Sequence, residues 1–211
     1  MTAAPAYDDA VGWVRWDGVL DERRAADLAV RCRVLADELD DPRSGDKPSG
    51  ATRRLTALDE RLPETVELAD ALAPVVDQIL AGGWTLSEIA FRSPGPGHGH
   101  QRLHADDLPR LVPGPHVGAT AIVPLVGFTA DNGATVVVPG SHHRPDLQRR
   151  SGHLEHHQEA VPLLGRAGTA FVFSAHVLHG GTANGSDQPR PAIQITYRAT
   201  SGPGPGSGSA R

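Results

Sequence analysis

A single cysteine, Cys32, leaves the chain no partner for an internal disulfide, which suits a reducing, cytoplasmic setting. It falls in an apolar pattern of helical period and reads as a buried structural thiol. Lysine is almost missing too. Lys47 stands alone, so nearly all positive charge is arginine, a bias of high-G+C coding rather than of function. Acidic residues outnumber basic ones by 25 to 20, and the net charge of −5 provides no basic footprint for nucleic acid. No apolar run approaches the roughly 20 residues of a membrane span. The opening MTAAPAYDDAVGW has no basic stretch ahead of an apolar one. These absences predict a soluble protein without signal peptide, membrane anchor or nucleic-acid partner. With 39% hydrophobic and 21% charged residues, 211 positions suffice for one globular domain with a core of its own.

The texture changes near Gly83. Before it, GWVRWDGVL (12–20) reads as a short strand closing into a helix over 20–40. In that helix Leu28, Cys32, Leu35 and Leu39 recur at three- and four-residue steps, and Asp21 and Glu22 favour the dipole of its first turn. DPRSGDKPSGATRR has the composition of a mobile surface loop. A second helix is expected from Glu64 to about Ala81, with a kink or restart at Pro74. Beyond Gly83, short runs rich in β-branched or aromatic residues alternate with Gly, Pro, Asn and Asp, as in a sandwich or jelly roll. TADNGATVVV looks like a hairpin in which Asn132-Gly133 supplies two positive φ angles. The expected division is a helical part, 1–83, a β core, 84–200, and a disordered Gly/Pro/Ser tail, 201–211.

Chemistry centres on QRLHADDLPR (101–110). Side chains at i and i+2 of an extended segment share a side, so His104 and Asp106 could offer a nitrogen and an oxygen to one metal ion. Among eleven histidines such a tripeptide arises easily by chance. Two later residues change its weight. His179 ends a strand and precedes Gly-Gly, and Arg190 lies eleven residues further on. Two histidines and one carboxylate leave three metal positions open, as in non-haem Fe(II) oxygenases. An arginine nearby can hold a dicarboxylate by a bidentate pair.

The stretches SPGPGHGHQRLHADD, VPLVGFTADNGATVVVPGSHH and HGGTANGSDQPRPAIQITYR resemble the phytanoyl-CoA dioxygenase family of Fe(II)- and 2-oxoglutarate-dependent oxygenases. The resemblance spans roughly 84–198, while the N-terminal helices match only in kind. It implies a mainly β fold with flanking α-helices: a double-stranded β-helix (jelly roll, cupin-like barrel) with two N-terminal helices packed outside. It also implies Fe(II) on His104, Asp106 and His179, with 2-oxoglutarate and O2 as co-substrates and succinate and CO2 as products. Arg190 would bind the C5 carboxylate of 2-oxoglutarate. Many members carry a hydroxyl two residues after the second histidine; here that position is Gly181, and Thr182 is the nearest substitute. Gln101 would face the oxoglutarate or the substrate. Halogenating relatives replace the carboxylate with a small residue, so Asp106 argues for oxygenation.

Other features take plainer readings. His98, His100, His153, His156 and His157 read as surface, His142 and His143 as a turn with His142 near the pocket, and His176 as facing away. Trp84, Phe91 and Phe173 read as barrel packing, Arg92 as a structural ion pair, and Asp107 as solvated or behind the ligands. Polar walls suit a polar small molecule, and with the high-G+C bias they point to tailoring of a secondary metabolite or antibiotic, by hydroxylation or oxidative ring closure. The chain is expected to be a monomer or homodimer. Two other classes compete. A non-catalytic jelly-roll binding module would make the His, Asp and Arg spacing accidental. A cupin-type metal hydrolase or isomerase would use three histidines and a glutamate, and no such set stands on a strand here.

Overall fold

The computed structural model describes residues 3–39 and 52–200. The expected tail over 201–211, and most of the loop expected over 41–54, lie outside the described residues. Strand β1 (Trp13–Trp16) leads into α1 (Glu22–Leu39); β2 (Arg53–Leu55) is followed by α2 (Leu58–Arg61), α3 (Glu64–Ala71) and α4 (Ala73–Ile79). Then come β3 (Trp84–Ser93), β4 (Gly118–Pro124) and β5 (Thr135–Val137), a 3-10 turn (Ser141–His143) and α5 (Pro145–Gln148). Strands β6 (Val161–Pro162), β7 (Ala170–Ser174), β8 (His179–Gly181) and β9 (Ala192–Ala199) complete the chain.

A six-stranded sheet, ordered β1-β7-β4-β9-β3-β2, and a three-stranded sheet, β6-β5-β8, are antiparallel throughout. This is the expected jelly roll. The larger sheet is buried on both faces, which explains why β4 and β7 read as unbroken apolar runs. Its outer face, from Ala119, Ala121, Val172, Ile193, Ile195 and Phe91, packs on the helices. Small Ala119 and Ala121 let Leu72, Val75 and Val76 approach closely. Tyr197, fully buried, donates its hydroxyl to the Ala69 carbonyl at 2.9 Å and so ties β9 to α3. Its inner face, with Ile122, Phe171 and Phe173, meets Val137 and Leu163 from the smaller sheet's side.

Helix α1 buries Ala25, Leu28, Cys32 and Ala36, the three- and four-residue spacing of one face. The second expected helix is divided: α3 ends at Ala71 and α4 restarts at Ala73, because Pro74 has no N–H and fits a first turn. Three expectations need correction. The strand read within 12–20 forms as β1 and pairs with β7, but the part before residue 84 also holds a strand that was not expected, β2, which pairs with β3 in the large sheet. Arg53 and Arg54 accordingly belong to a strand rather than to the loop. Asn132-Gly133 does not close a hairpin either, because β4 and β5 lie in different sheets. Only Gly133 has positive φ; Asn132 instead accepts from Thr129 N at 2.9 Å and donates to Gly127 O at 2.7 Å, holding a crossover between the sheets.

Gly168 seals the entry to α1. Its carbonyl accepts from Leu20 N at 3.1 Å, its φ is +79°, and a Cβ there would run into the Leu20 carbonyl. Gly18 has φ +72° but open space around it. Gly18→Ala should cost only the left-handed penalty, about 1–2 kcal/mol. Gly168→Ala should exceed the usual range of roughly 0.5–3 kcal/mol. Urea midpoints of the two variants measure the difference, and equal losses would contradict this account.

Candidate metal centre

Residues 101–106 run alongside β8. Gln101 N donates to Gly181 O, and His104 and His179 exchange both main-chain hydrogen bonds, all at 2.8 Å. Asp106 N donates to Ala175 O at 2.9 Å in the turn that leads into β8. This backbone lacing brings the side chains of His104, Asp106 and His179 together. Their ligand atoms all lie within 4.8 Å of one another, with Asp106 Oδ1 at 3.8 Å from His104 Nε2 and 3.5 Å from His179 Nε2.

The protons on these rings follow from their partners. His104 Nδ1 lies 2.8 Å from Arg102 O, and His179 Nδ1 lies 3.0 Å from Val177 O. A carbonyl only accepts, so each Nδ1 carries the hydrogen and each Nε2 turns a lone pair into the site. Such support of the distal nitrogen is the usual orienting device for metal-binding histidines. Burial pushes the His104 imidazole below its ordinary range, and the adjacent His179 ring adds to the effect. Thr120, on β4, donates to Asp106 Oδ2 at 2.6 Å, which leaves Oδ1 facing the histidines. Phe173 packs its ring 4.7 Å from that of His179, so its expected packing role is exercised against the site itself.

Arg190 is 5% exposed, with its guanidinium carbon 4.5 Å above the Phe128 ring. Its Nε is buried without a partner. Burial, reinforced by the charge of Arg92, pushes its pKa down to about 10, still protonated at neutral pH. A buried cation of this kind needs an anion. Phe128, under the Arg190 guanidinium, and Phe173, against the His179 ring, belong to one apolar cluster. The charge of Arg92 acts on His104 as well as on Arg190.

The remaining expected residues divide. Gln101 lies against β8: its Oε1 is 3.3 Å from where a Cβ on Gly181 would stand. That same Cβ would collide with the Gly99 carbonyl, so the loop before Gln101 leaves no room for a hydroxyl side chain at 181. Thr182 does not replace it. Its hydroxyl donates to Ala134 O at 2.9 Å, inside the protein's own backbone, and so has no proton to offer a carboxylate. Asp107 pairs with Arg198. His98, His100, His153 and His156 are exposed, and His157 is half-buried. His142 and His176 are buried beside His116, close to Asp9. Sequence reasoning passed over Thr120, Phe128, Asp9 and His116. Thr120 carried one faint signal, as a polar position within an apolar strand.

Among the described residues no helix is long and apolar enough to cross a membrane. An uncharacterized protein of Mycobacterium tuberculosis is 28% identical over 203 residues, covering 90% of this chain and 72% of its own length. Dioxygenase aneA of Aspergillus aculeatus is 35% identical over 114 residues, covering 50% of this chain and 37% of its own length. Among solved structures, the epimerase SnoN in complex with Fe3+, alpha ketoglutarate and nogalamycin RO superposes with a TM-score of 0.71. It is 21% identical and covers 96% of this chain and 90% of its own, a likeness of fold. The family model described as phytanoyl-CoA dioxygenase (PhyH) matches residues 11–192, a span that takes in every strand up to β8 and both segments of the triad. On that match, the chain belongs to the phytanoyl-CoA dioxygenase family.

Proposed function

We propose that this chain is an Fe(II)- and 2-oxoglutarate-dependent oxygenase that tailors a polar small molecule of secondary metabolism. The carrying observation is the convergence of two Nε2 lone pairs and one carboxylate oxygen, together with a buried guanidinium whose Nε has no partner among the described residues. That donor set suits Fe(II): His104, Asp106 and His179 would hold the metal, and three coordination positions would remain for co-substrates. The family name, the dioxygenase among the relatives and the iron and ketoglutarate bound by SnoN support the same reading. Iron and 2-oxoglutarate, when bound, supply oxidation by O2 coupled to decarboxylation, with succinate and CO2 released.

The chain's own residues have distinct tasks in this proposal. The hydrogens on Nδ1 keep both histidines in the ligating tautomer, and Thr120 prevents the Asp106 carboxylate from rotating. Arg190 would anchor the C5 carboxylate of 2-oxoglutarate, with Phe128 below it keeping water out. The second contact on that carboxylate is not assigned to Thr182, whose proton is engaged by Ala134. Gln101 stands beside β8, where it can meet the oxoglutarate or the substrate. On β3 and β9, the residues alternating with the outward-packed Phe91, Ile193, Ile195 and Tyr197 are Arg92, Gln194, Thr196 and Arg198. They give the barrel interior a polar wall, which favours a hydroxylated or charged substrate over a long acyl chain. Relatives in antibiotic biosynthesis, SnoN among them, support the secondary-metabolite reading.

Fe(II) and 2-oxoglutarate added without oxygen should produce a weak metal-to-ligand charge-transfer band, and admission of air should yield succinate. Asp106→Ala and His179→Ala should lose both signals; an unchanged succinate yield in either would sink the triad. Arg190→Ala should keep iron binding while KM for 2-oxoglutarate rises about 10- to 100-fold, the worth of a charged hydrogen bond. An unaltered KM would remove that assignment. Thr120→Val should weaken Fe(II) binding by about 10- to 100-fold with the folded stability nearly intact. Metal titration followed by melting curves separates that outcome from simple destabilisation.

A further inference from the structure

A second group of ligand-type side chains stands outside the centre described above. Asp9 precedes β1, His116 precedes β4, and His142 and His143 lie in the 3-10 turn after β5. His116 Nε2 is 2.7 Å from Asp9 Oδ1. His143 Nε2 is 3.1 Å from Asp9 Oδ2 and 2.9 Å from the Asp9 carbonyl. His142 Nε2 is 2.9 Å from that carbonyl and 3.5 Å from Oδ1. We propose that Asp9, His142 and His143, whose ligand atoms all lie within 4.8 Å of one another, form a second metal site, for a divalent ion of the zinc class, separate from the iron centre, with His116 holding the Asp9 carboxylate from the side.

Geometry, charge and ligand chemistry agree. Donors bonded at about 2.0–2.2 Å around a four-coordinate ion stand roughly 3–3.5 Å apart. The Nε2 atoms of His142 and His143 stand 2.9–3.5 Å from the oxygens of Asp9, close to that spacing; each carries its hydrogen toward the Asp9 carbonyl, and an ion seats by taking the place of those hydrogens. Burial holds two of the imidazoles uncharged: His142 is pushed down to about 4, and His116 is also lowered. Burial works to raise the Asp9 carboxyl, but the hydrogen bond and charge of His116, with His143 and His142, carry it below its usual range. A carboxylate beside imidazoles that burial keeps uncharged offers a divalent cation its charge as well as its ligands. An imidazole-rich set selects zinc, cobalt or nickel over calcium and magnesium, which prefer oxygen.

The surroundings fit such a site. Ser174 Oγ lies 2.7 Å from His116 Nδ1 and orients the ring from behind. Gly12 makes room for His142, since a Cβ there would stand 2.6 Å from Nδ1. Gly140 N donates to Val11 O at 2.8 Å, and Ser174 N to Gly12 O at 3.1 Å, so the N-terminal segment is already docked on this wall. Leu178 N donates to Ser141 Oγ at 2.8 Å, linking the histidine turn to the residue before His179. An ion held here would staple the N-terminal segment to the histidine turn, and its role would be structural.

Metal counts on the full chain test this directly. Stripped protein dialysed against Zn²⁺ should retain two equivalents, one in each site. Asp9→Ala and His143→Ala, both exposed positions, should each retain one, and the equivalent they keep should disappear when Asp106→Ala is added. That dependence also shows that the variants are folded. In Asp106→Ala protein, Co²⁺ should give the intense visible absorption of a four-coordinate site, and adding Asp9→Ala should abolish it. If neither Asp9→Ala nor His143→Ala lowers the Zn²⁺ count, the site does not exist. Absence of the Asp106-dependent equivalent alone would count against the iron centre and leave this site standing.

Discussion

Two main-chain hydrogen bonds, each 2.8 Å long, join His104 and His179 in a single antiparallel bridge. This bridge fastens an otherwise irregular segment to β8 and puts two imidazoles 4.5 Å apart, centre to centre. The third bond in the same lacing, from Asp106 to Ala175, fixes how far the carboxylate stands from both rings. The close approach has a consequence for the strand opposite. Gly180 and Gly181 must be glycine because a Cβ on either would meet the backbone of residues 99–102. The His-Gly-Gly sequence is thus the mark of a packed backbone crossing, and it explains why the hydroxyl found in many relatives has no place here.

Charge balance gives the cavity its direction. A divalent ion, one carboxylate, one buried guanidinium and a dianionic co-substrate are neutral together. Among the described residues the Nε of buried Arg190, above the Phe128 ring, has no partner, and a carboxylate would compensate its charge. The same reasoning separates the two histidine groups. In the triad, carbonyl acceptors at Nδ1 free the Nε2 lone pairs for a ligand that must exchange with co-substrates. Around Asp9 the Nε2 hydrogens of His142 and His143 meet the carbonyl of one residue, so an ion there binds with release of those protons.

Much of this was legible in the residues. The jelly roll followed from short β-branched runs between turn residues, and the spacing of His104, Asp106 and His179 singled out side chains that the fold brings within 4.8 Å of one another. What escaped has physical reasons. Strand β2 is short, three residues, and acquires its identity only from β3, more than 30 positions away. Asn132 read as a turn former, but its side chain binds backbone on both sides instead of adopting positive φ. Thr120 looks like any strand threonine until Asp106 is folded against it. Asp9 and His116 come from segments 107 residues apart, and no local spacing pattern can announce such a meeting.

The central claim is that this fold exists to hold iron and 2-oxoglutarate between His179 and Arg190. A crystal structure of the chain grown without oxygen in the presence of Fe(II) and 2-oxoglutarate tests it most directly, with iron located by anomalous scattering. The account predicts iron on His104 Nε2, His179 Nε2 and an Asp106 oxygen, with the C5 carboxylate of 2-oxoglutarate on Arg190. Iron bound elsewhere, or a co-substrate carboxylate that does not touch Arg190, would contradict it.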